Sequence, residues 1–543
     1  MTDDELVALA EDLRKKSQEY KGRPLYDRSG VPTGQSYRDW WNLAWSYYNG
    51  DLAKPKIQED VGQVPYIPAN LYLAVKDAEI PLLQSPRPRI IVTIDNKQDD
   101  PLAREVHLVT QALWNRYIFG QATDEHAFYV ALFNCAGFKL DYDAQFQRPI
   151  LYALDPAIID VMPGVGDIAS SPYVIQTNKI TGWRLNVIYP GSLKELAPNM
   201  SVERAMYENF TVSENWLLDD DGKNGKRFAT SNGKLISPVT GFNLPFEGYP
   251  YAWTSYPRHS VDIWRFSDLK HIKVLLDEWM VALGSLFTYV NKFANPPLLA
   301  RTGSGVMDKM RNLPGQIVAT DSPTTDAFPL QVGNMPQHAA EAIQVVPKLV
   351  ELILNLPPAT RGVKPGSVTA TSALDLLFEL GTVKIKRIYE TIADSLTIIG
   401  QKLVQMIQRV YYSEGGISRR FALTGDEARI AQELGLPPEV ITRFDEKIAN
   451  AVFEVQVDKE SIAFLSEAAK RQLVVQLAQL GVIQDVNLIL ELLRFPGWRD
   501  IMDRQPNAMV NPQVTQQLMQ ILQGAGGNGQ QPAQPQVPNI FGG

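Results

Sequence analysis

One uninterrupted run of helical periodicity constrains the fold of this chain more than any other feature. From Ser372 to about Tyr412, apolar side chains recur at intervals of three or four residues. They are Leu374, Leu377, Phe378, Ile385, Ile388, Ile392, Leu396, Ile399, Leu403, Met406 and Val410. We predict one helix of about 40 residues, or about 60 Å at the α-helical rise per residue. Because this length exceeds that of ordinary globular helices, the helix must pack along many neighbours.

The stretch GVKPGSVTATSALDLLFE, from Gly362 to Glu379, leads into this helix and raises the question of a phosphate-binding loop. A Walker loop requires G-x-x-x-x-G-K-[ST], so that backbone amides and a lysine surround the phosphates. Here Lys364 precedes Gly366, and a proline replaces one amide donor. The pattern therefore predicts a flexible loop that hinges on Gly362 and Gly366, with Ser372 or a neighbour as the helix cap.

Two further helices flank a segment rich in turn signals. SDLKHIKVLLDEWMVALGSLFTYVNKF predicts a helix with a Ser267-Asp268 cap that ends at Phe293, since ANPPLL follows. PQHAAEAIQVVPKLVELILNL predicts the second helix, in which Pro347 predicts a kink or a restart. Between the two helices, residues 296–336 contain the β-like pieces PPLLART, GQIVATD and AFPLQVG.

The N-terminal region predicts helices followed by a small mixed sheet. Helical periodicity marks residues 3–20, SYRDWWNLAWSYYNGD, NLYLAVKDAEIPLL, DPLAREVHLVTQALWNRYI and DEHAFYVALFNCAGF, with Gly137 as a stop. PRIIVTI predicts an early strand. From Leu140 to about Gly248, the runs FKLDYDA, RPILYALD, SPYVIQT, FTVSENWLLD and GKLISPV predict further strands. The aromatic stripe of the second helix is expected in the core: Trp40, Trp41, Trp45 and Tyr48.

The C-terminal part of the chain predicts helices and then a tail. From Leu423 to about Gln505, acidic turns alternate with helices such as SEAAKRQLVVQLAQLG and DVNLILELLRFPG, and the strand AVFEVQVD interrupts them. Residues 524–543 are polar and rich in Gly and Pro, which predicts disorder.

Composition narrows the function classes. The chain has 543 residues, of which 45% are apolar and 21% charged, enough for more than one core. Its net charge of −8 argues against a general basic surface for coating nucleic acid, but not against a protein along which DNA slides. The N-terminus lacks a signal-peptide pattern, and no window reaches about 18 uninterrupted apolar residues, so we expect an intracellular chain with no membrane partner. Cys135, the single cysteine, is expected to be buried.

No residue pattern makes a convincing active site. The five histidines are scattered, with no pair spaced to share a metal, and each is expected at a surface or interface. Asp141 and Asp143 would share one side of a strand, as in two-metal nucleases, but lack the further acids of such sites. LLDDDGKNGK fails the EF-hand spacing and predicts a hairpin tip. We expect no enzymatic activity, no metal and no cofactor.

The order of these features resembles the portal proteins of tailed bacteriophages, over nearly the whole chain up to about residue 505. The segments that carry the resemblance are YYNG followed by NLYLAVKDAEIPLLQSPRPRIIV, FNCAGFKLDYD followed by LDPAIIDVMPG, NKFANPPLL, LNLPPATRGVKPGSVTATSALDLL and LAQLGVIQDVNLILELLRFPGW. The last of these resembles the C-terminal region of podovirus-like and related portals.

The resemblance implies an α+β, predominantly helical, elongated subunit with wing, stem, clip and crown regions. By analogy, the regions are the N-terminal helices and mixed α/β wing (1–262), a stem helix (263–295), the clip (296–336), the returning stem helix (337–355), the channel loop (356–371), the long channel or wing helix (372–412), the helical crown (413–523) and the tail (524–543).

The resemblance also implies a function and partners. Such subunits form a homo-oligomeric ring, usually a dodecamer, at one capsid vertex of the virion, assembled in the host cytoplasm. Double-stranded DNA is packaged and ejected through the ring. The terminase large subunit docks first, head-tail adaptor or tail proteins follow, and capsid and scaffolding proteins surround the ring. The implied loop and DNA-contacting residues are Arg361, Gly362, Lys364, Gly366, Lys384, Lys386 and Arg387.

Two alternatives stay open at this point. One is a phage DNA-processing enzyme, either a nuclease or a packaging ATPase, although no Walker motif is present. The other is a different structural virion component, such as a head-tail adaptor or a minor capsid protein. Adaptors are usually much shorter than this chain.

Overall fold

The computed structural model describes these residues: 2–24, 35–51, 67–84, 88–94, 100–143, 146–219, 224–241, 248–257, 262–294, 298–300, 327–329, 337–354, 371–422 and 439–457. The chain divides into two compact units. The first comprises Met1–Pro365 and Gly381–Ile462, and the second comprises Gly366–Leu380 and Ala463–Gly543. Within the second unit, the structure describes only the first turns of one helix. The predicted crown helices SEAAKRQLVVQLAQLG and DVNLILELLRFPG and the tail lie outside the described residues.

The N-terminal helices form where the sequence supplies caps. Thr2 and Glu5 make a reciprocal capping box at the start of the first helix, and Ser36 and Asp39 do the same for the second. The second helix ends at Gly50, whose φ of 81° is in the left-handed region that glycine accepts. These helices are α1 (Asp3–Gly22), α2 (Tyr37–Asn49), α3 (Leu71–Gln84), α4 (Pro101–Leu113) and α5 (Gln121–Phe133).

The strands form antiparallel sheets. In order, they are β1 (Ile90–Thr93), β2 (Cys135–Asp143), β3 (Arg148–Leu154), β4 (Ile159–Val161), β5 (Tyr173–Thr181), β6 (Asn209–Leu218), β7 (Gly225–Ser231), β8 (Lys234–Leu235), β9 (Thr240–Gly241) and β10 (Tyr251–Ser255). One sheet has the order β10-β2-β3, and the larger one has the order β4-β5-β6-β7-β8 with β9 also paired to β7. Short helices lie between β5 and β6: α6 (Gly182–Ile188), α7 (Ser192–Leu196) and α8 (Val202–Ala205).

Several sequence expectations for this region need correction. α5 ends at Asn134, which has a φ of 58°, and Gly137 lies inside β2 and not at a helix end. A Cβ at Gly137 would lie 2.9 Å from the Trp253 ring, so close packing explains this glycine. Sequence reasoning also missed β7 and β10. Trp45 is 44% exposed, whereas Trp40 and Trp41 are buried as expected.

The second half of the chain contains the long helices. α9 (Leu269–Ala294) and α10 (Gln337–Leu354) pack against each other, and β11 (Leu298–Ala300) pairs with β12 (Ala327–Pro329) in the segment between them. α10 is continuous through Pro347, so no restart occurs there. α11 spans Thr371–Ile407 and is followed by a π-helical turn, Gln408–Tyr412. The long helix expected from the apolar periodicity is therefore present.

After α11, short elements return the chain to the N-terminal region. They are β13 (Arg420–Ala422), β14 (Glu439–Ile441), α12 (Glu446–Asn450) and β15 (Glu454–Val457). β15 pairs with β1, so the expected strands PRIIVTI and AVFEVQVD form one two-stranded sheet. α11 packs on this sheet at Gly400, where a Cβ would lie 2.7 Å from Ile90 Cδ1 and 2.9 Å from Val455 Cγ1. A side chain larger than hydrogen would therefore separate the helix from the sheet.

Candidate functional site

The residues proposed from the sequence fall into two groups. Arg361, Gly362, Lys364 and Gly366 lie outside the described residues. Lys384, Lys386 and Arg387 lie on α11, in the part of that helix that belongs to the first compact unit.

Lys384 lies in a nearly buried cluster of charges, which we call the helix junction: Lys76, Glu79, Asn134, Asp268 and Lys384. Lys384 Nζ is 2.7 Å from Asp268 Oδ2 and 3.8 Å from Glu79 Oε1. Lys76 Nζ is 2.6 Å from Glu79 Oε2 and 3.2 Å from Asp268 Oδ2. Two ammonium groups face two carboxylates, so the helix junction is formally neutral and joins α3, α11 and the residue before α9.

Asn134 provides a further hydrogen bond to the Asp268 carboxylate. Its amide Nδ2 donates to Asp268 Oδ1 at 2.8 Å and to the Phe266 carbonyl at 2.9 Å. The left-handed backbone at Asn134, which ends α5, therefore also aims its side chain at the start of α9. Ser267 makes the expected capping contact, since its Oγ accepts from the Leu269 N–H at 3.3 Å. The expected Asp268 cap is instead an ion-pair partner.

The charges of the helix junction depend on one another. Burial alone would raise the pKa of Asp268, but the ammonium groups of Lys384 and Lys76 outweigh it and hold that pKa well below its usual range. Burial alone would lower the pKa of Lys384, but the carboxylates of Asp268 and Glu79 raise it. Asp268 and Lys384 are thus charged at neutral pH, and loss of either charge would leave the other buried and uncompensated.

Lys386 and Arg387 differ from Lys384 in their exposure. Both side chains are exposed on α11, whereas the Lys384 side chain is only 12% exposed. A contact with a passing phosphate backbone needs an accessible cation. Of the three described candidates, Lys386 and Arg387 meet that requirement within one subunit, and the Lys384 ammonium is already paired.

A second polar connection fixes α11 to the sheet β10-β2-β3. Thr254 Oγ1 donates to Ser395 Oγ at 2.7 Å, and Ser395 Oγ donates to the Trp253 carbonyl at 3.0 Å. Thr254 Oγ1 also lies 3.1 Å from His126 Nε2 on α5, whose ring stacks on Phe138. Burial lowers the pKa of His126 to about 3, so the imidazole is neutral at physiological pH.

The positions of two histidines correct the sequence expectation. His107 and His126 are buried, with 7% and 0% exposure, and not at a surface. An isolated histidine in the apolar runs REVHLV and DEHAFYV could have signalled burial, but its hydroxyl partner Thr254 is 128 residues away in sequence. The expectation for Cys135 is confirmed, since it is fully buried and burial raises the pKa of its thiol to about 12.

The pair α9 and α10, here called the helix hairpin, carries many exposed apolar side chains. Trp279 Nε1 donates to the Ile343 carbonyl at 2.9 Å and joins the two helices. Large apolar side chains nevertheless face solvent in the single chain: Val274, Phe287, Val290, Val345, Leu349, Leu352 and Ile353. Seven exposed large apolar side chains on one pair of helices are a feature typical of interaction sites.

The residues that raised enzyme alternatives have structural partners. Lys139 Nζ lies 3.5 Å from Asp141 Oδ2 and 2.6 Å from Glu214 Oε2. Among the described residues, no group of three or more His, Cys, Asp or Glu is arranged to hold a metal ion. The described helices include none that is long and apolar enough to cross a membrane. LLDDDGKNGK joins β6 and β7, whose register pairs Leu218 with Gly225, as expected for a hairpin.

Comparison with known proteins gave similar chains among solved structures only. The chain is similar to a chain in the neck of an empty gene transfer agent particle computed with C6 symmetry, with 10% identity, 81% and 94% of the two chains covered and a TM-score of 0.39. It is also similar to a chain in the virion of a native gene transfer agent particle, with 11% identity, 89% and 99% covered and a TM-score of 0.40. A third similar chain comes from the neck of the native particle computed with C12 symmetry, with 10% identity, 89% and 98% covered and a TM-score of 0.38. No protein-family model and no curated protein matches the sequence.

Proposed function

We propose that this chain is a portal subunit of a tailed phage or a phage-like particle. Copies of the chain would form a homo-oligomeric ring, with a dodecamer as the expected state, at one vertex of the capsid. DNA would be packaged and ejected through the ring, with terminase and then adaptor or tail proteins docking on it. The role is structural, with no catalytic step assigned to the chain.

The helix hairpin is the observation that carries this proposal. Its exposed apolar side chains suit a helix pair that lies beside identical pairs, because neighbouring copies would remove this surface from water. Burial of such surface contributes about 25 cal/mol per Å², so several apolar residues per subunit supply a sizeable driving force. The resemblance of the sequence to portal proteins, including its order of stem-like helices, loop and long helix, supports the same assembly.

The distribution of charge suits a passage for DNA. A strongly basic lining would hold the duplex through counterion release, whereas this chain carries a net charge of −8. Lys386 and Arg387 are exposed and would make transient contacts with phosphates. The stem, clip, channel-loop and crown assignments given above, with Arg361, Gly362, Lys364 and Gly366 in the loop, form part of the proposal.

End-on electron microscopy of the purified full chain tests the proposal. We expect rings with a central hole, accompanied by a mass in solution that is a multiple of 60.7 kDa. A stable monomer over a wide range of salt and protein concentration would contradict the ring. A plasmid-nicking assay with Mg²⁺ tests the nuclease alternative, and we expect no nicking.

Loop variants separate a portal from another ring-forming virion component. Replacement of Gly362 and Gly366 by valine should impair DNA packaging more than ring assembly, because glycine gives a moving loop its φ freedom. If packaging were normal while rings failed to form, the loop assignment would be wrong.

A further inference from the structure

A partly exposed cluster of aromatic rings lies where α2 packs against α5. The Phe128 ring makes edge-to-face contacts with Trp45, at a centroid distance of 5.9 Å, and with Tyr48, at 5.2 Å. Trp45 is 44% exposed, although Trp40 and Trp41 on the same helix are buried. Tryptophan is enriched among the residues that anchor protein interfaces, and the exposed part of Trp45 belongs neither to the helix junction nor to the helix hairpin.

Three exposed carboxylates lie beside this cluster. Asp77 on α3 accepts a hydrogen bond from the Tyr48 hydroxyl at 3.3 Å. Asp124 and Glu125 on α5 lie one turn before Phe128 and therefore on its side of the helix. The three helices thus present one surface, which we call the acidic aromatic face: Trp45, Tyr48, Asp77, Asp124, Glu125 and Phe128.

The carboxylates of this face have no cationic partner within the described part of the chain, since no Lys or Arg there makes an ion pair with Asp77, Asp124 or Glu125. The helix sequences give the reason, because α2, α3 and α5 contain only two such residues, Arg38 and Lys76. Lys76 is buried in the helix junction. Arg38 lies two turns before Trp45 and donates to the Gln18 carbonyl at 3.3 Å. The face is therefore negatively charged.

This combination of aromatic rings and unpaired carboxylates fits the chemistry of a basic protein segment. A Lys or Arg cation is attracted to the face of an indole ring, and its aliphatic stem can pack on the same aromatic surface. Further basic side chains can form ion pairs with the carboxylates, which supply complementary charge. The same carboxylates repel phosphate groups, so neither a nucleic acid nor an anionic lipid surface fits this face.

We propose that the acidic aromatic face docks a basic segment of a partner protein. One Lys or Arg side chain of that segment lies against Trp45, and neighbouring basic side chains pair with Asp77, Asp124 and Glu125. The proposal requires neither the ring nor the passage of DNA, so a failure of the portal assignment would leave it standing.

Fluorescence anisotropy of labelled probes, titrated with the full chain, tests the proposal. The probes are a peptide of alternating Arg and Leu, a peptide of alternating Glu and Leu of the same length, and a short DNA duplex. We expect saturable binding of the Arg-Leu peptide that weakens as the NaCl concentration rises, because salt screens exposed charges. Absence of binding by this peptide, or tighter binding of either other probe, would overturn the proposal.

An aromatic variant with a matched control assigns the binding to the face. Trp45→Ala should weaken binding of the Arg-Leu peptide about fivefold, since it removes the aromatic surface for the cation. Trp183→Ala, which removes a 61% exposed tryptophan on α6, should leave the affinity unchanged. Wild-type affinity in Trp45→Ala would contradict the site.

A charge variant tests the carboxylates independently of Trp45. Asp77→Asn, Asp124→Asn and Glu125→Gln in one chain should weaken binding about tenfold and still offer an acceptor to the Tyr48 hydroxyl. The matched control removes three exposed carboxylates elsewhere, by Glu195→Gln, Glu203→Gln and Glu208→Gln, and should bind as the wild type does. Equal losses in the two charge variants would show nonspecific attraction to an acidic chain and would overturn the proposal.

Light scattering of Trp45→Ala separates a different partner from a second copy of this chain. An unchanged mass in solution, together with weakened peptide binding, supports a different partner. A smaller mass than that of the wild type would show that a second copy covers the face, and would overturn the proposal.

Discussion

α11 and the helix hairpin are both built from amphipathic helices, yet they differ in how far their apolar side chains are buried within the chain. From residue 385 onward, the predicted apolar stripe of α11 is buried by its own chain: Ile385, Ile388, Ile392, Leu396, Ile399, Leu403 and Met406. On the hairpin, burial of the described apolar side chains is confined to the start of α9, at Leu269, Ile272, Leu276 and Met280, and the end of α10, at Val350 and Leu354, whereas Phe287 and Leu352 are 54% and 74% exposed. The comparison indicates that α11 stabilises the fold, and it supports the proposal that the hairpin provides surface for assembly.

Among the variants that test this comparison, removal of the Asp268 charge from the helix junction should lower the free energy of unfolding most. Asp268→Asn leaves the ammonium groups of Lys76 and Lys384 facing an amide in a nearly buried site. We expect a loss of about 3–5 kcal/mol in the free energy of unfolding, measured by chemical denaturation. Asp12→Asn removes the exposed pair with Lys16 and should leave the midpoint unchanged.

The stability difference between the wild type and Asp268→Asn should depend on pH. Because the folded-state pKa of Asp268 is depressed, its contribution to stability is fully present above the usual carboxyl pKa of about 3.9 and is lost as pH falls below it. The difference in stability between the wild type and Asp268→Asn should therefore be constant from pH 7 to about pH 5 and shrink below about pH 4. An equal difference at pH 3 and pH 7 would contradict the ion-pair assignment.

A larger side chain at the closely packed Gly400 should cause the next largest loss of stability. Gly400→Val places methyl groups where Ile90 and Val455 already lie, and should cost about 1–3 kcal/mol by overpacking. Gly22→Val, at a position with nothing within 4 Å of the added Cβ, is the matched control. If both variants had the same Tm, α11 would not pack on the β1–β15 sheet as described.

Sequence reasoning succeeded where one local pattern was decisive. Apolar periodicity located α11, and the Ser267 cap and the prolines after Phe293 located the ends of α9. It failed where a contact joins distant positions: the function of Gly137 depends on Trp253, and the burial of His126 depends on Phe138 and Thr254. The resemblance implied Lys384 as a DNA contact, and no sequence signal indicated that it pairs with Asp268, 116 residues earlier.

His126 should make the region around α11 sensitive to mild acid. Its pKa is about 3 in the folded chain and about 6.5 when unfolded, so the unfolded state binds a proton first as pH falls. The stability of the wild type should then decrease below pH 6.5 by up to about 1.4 kcal/mol per pH unit from this group. His126→Gln should decrease less steeply between pH 6.5 and 4.5, and His271→Gln, at an exposed position on α9, should follow the wild type. Identical slopes for His126→Gln and wild type would show that His126 is not buried as a neutral group.

Substitutions on the hairpin should have the smallest effect on the stability of the fold. The comparison predicts that they change ring assembly and leave the stability of the monomer nearly unchanged. Leu352→Ser removes a side chain that is 74% exposed, so the unfolding free energy of the monomer should change by no more than about 0.5 kcal/mol. If neighbouring copies cover the hairpin, the same variant should shift the population from rings toward monomers, measured by light scattering and end-on electron microscopy. Val452→Ser, at a position 82% exposed outside the hairpin, is the matched control and should assemble normally. Normal rings from Leu352→Ser and Phe287→Ser together would mean that the hairpin is not the assembly surface, because two exposed apolar contacts per subunit are lost around every interface of a closed ring.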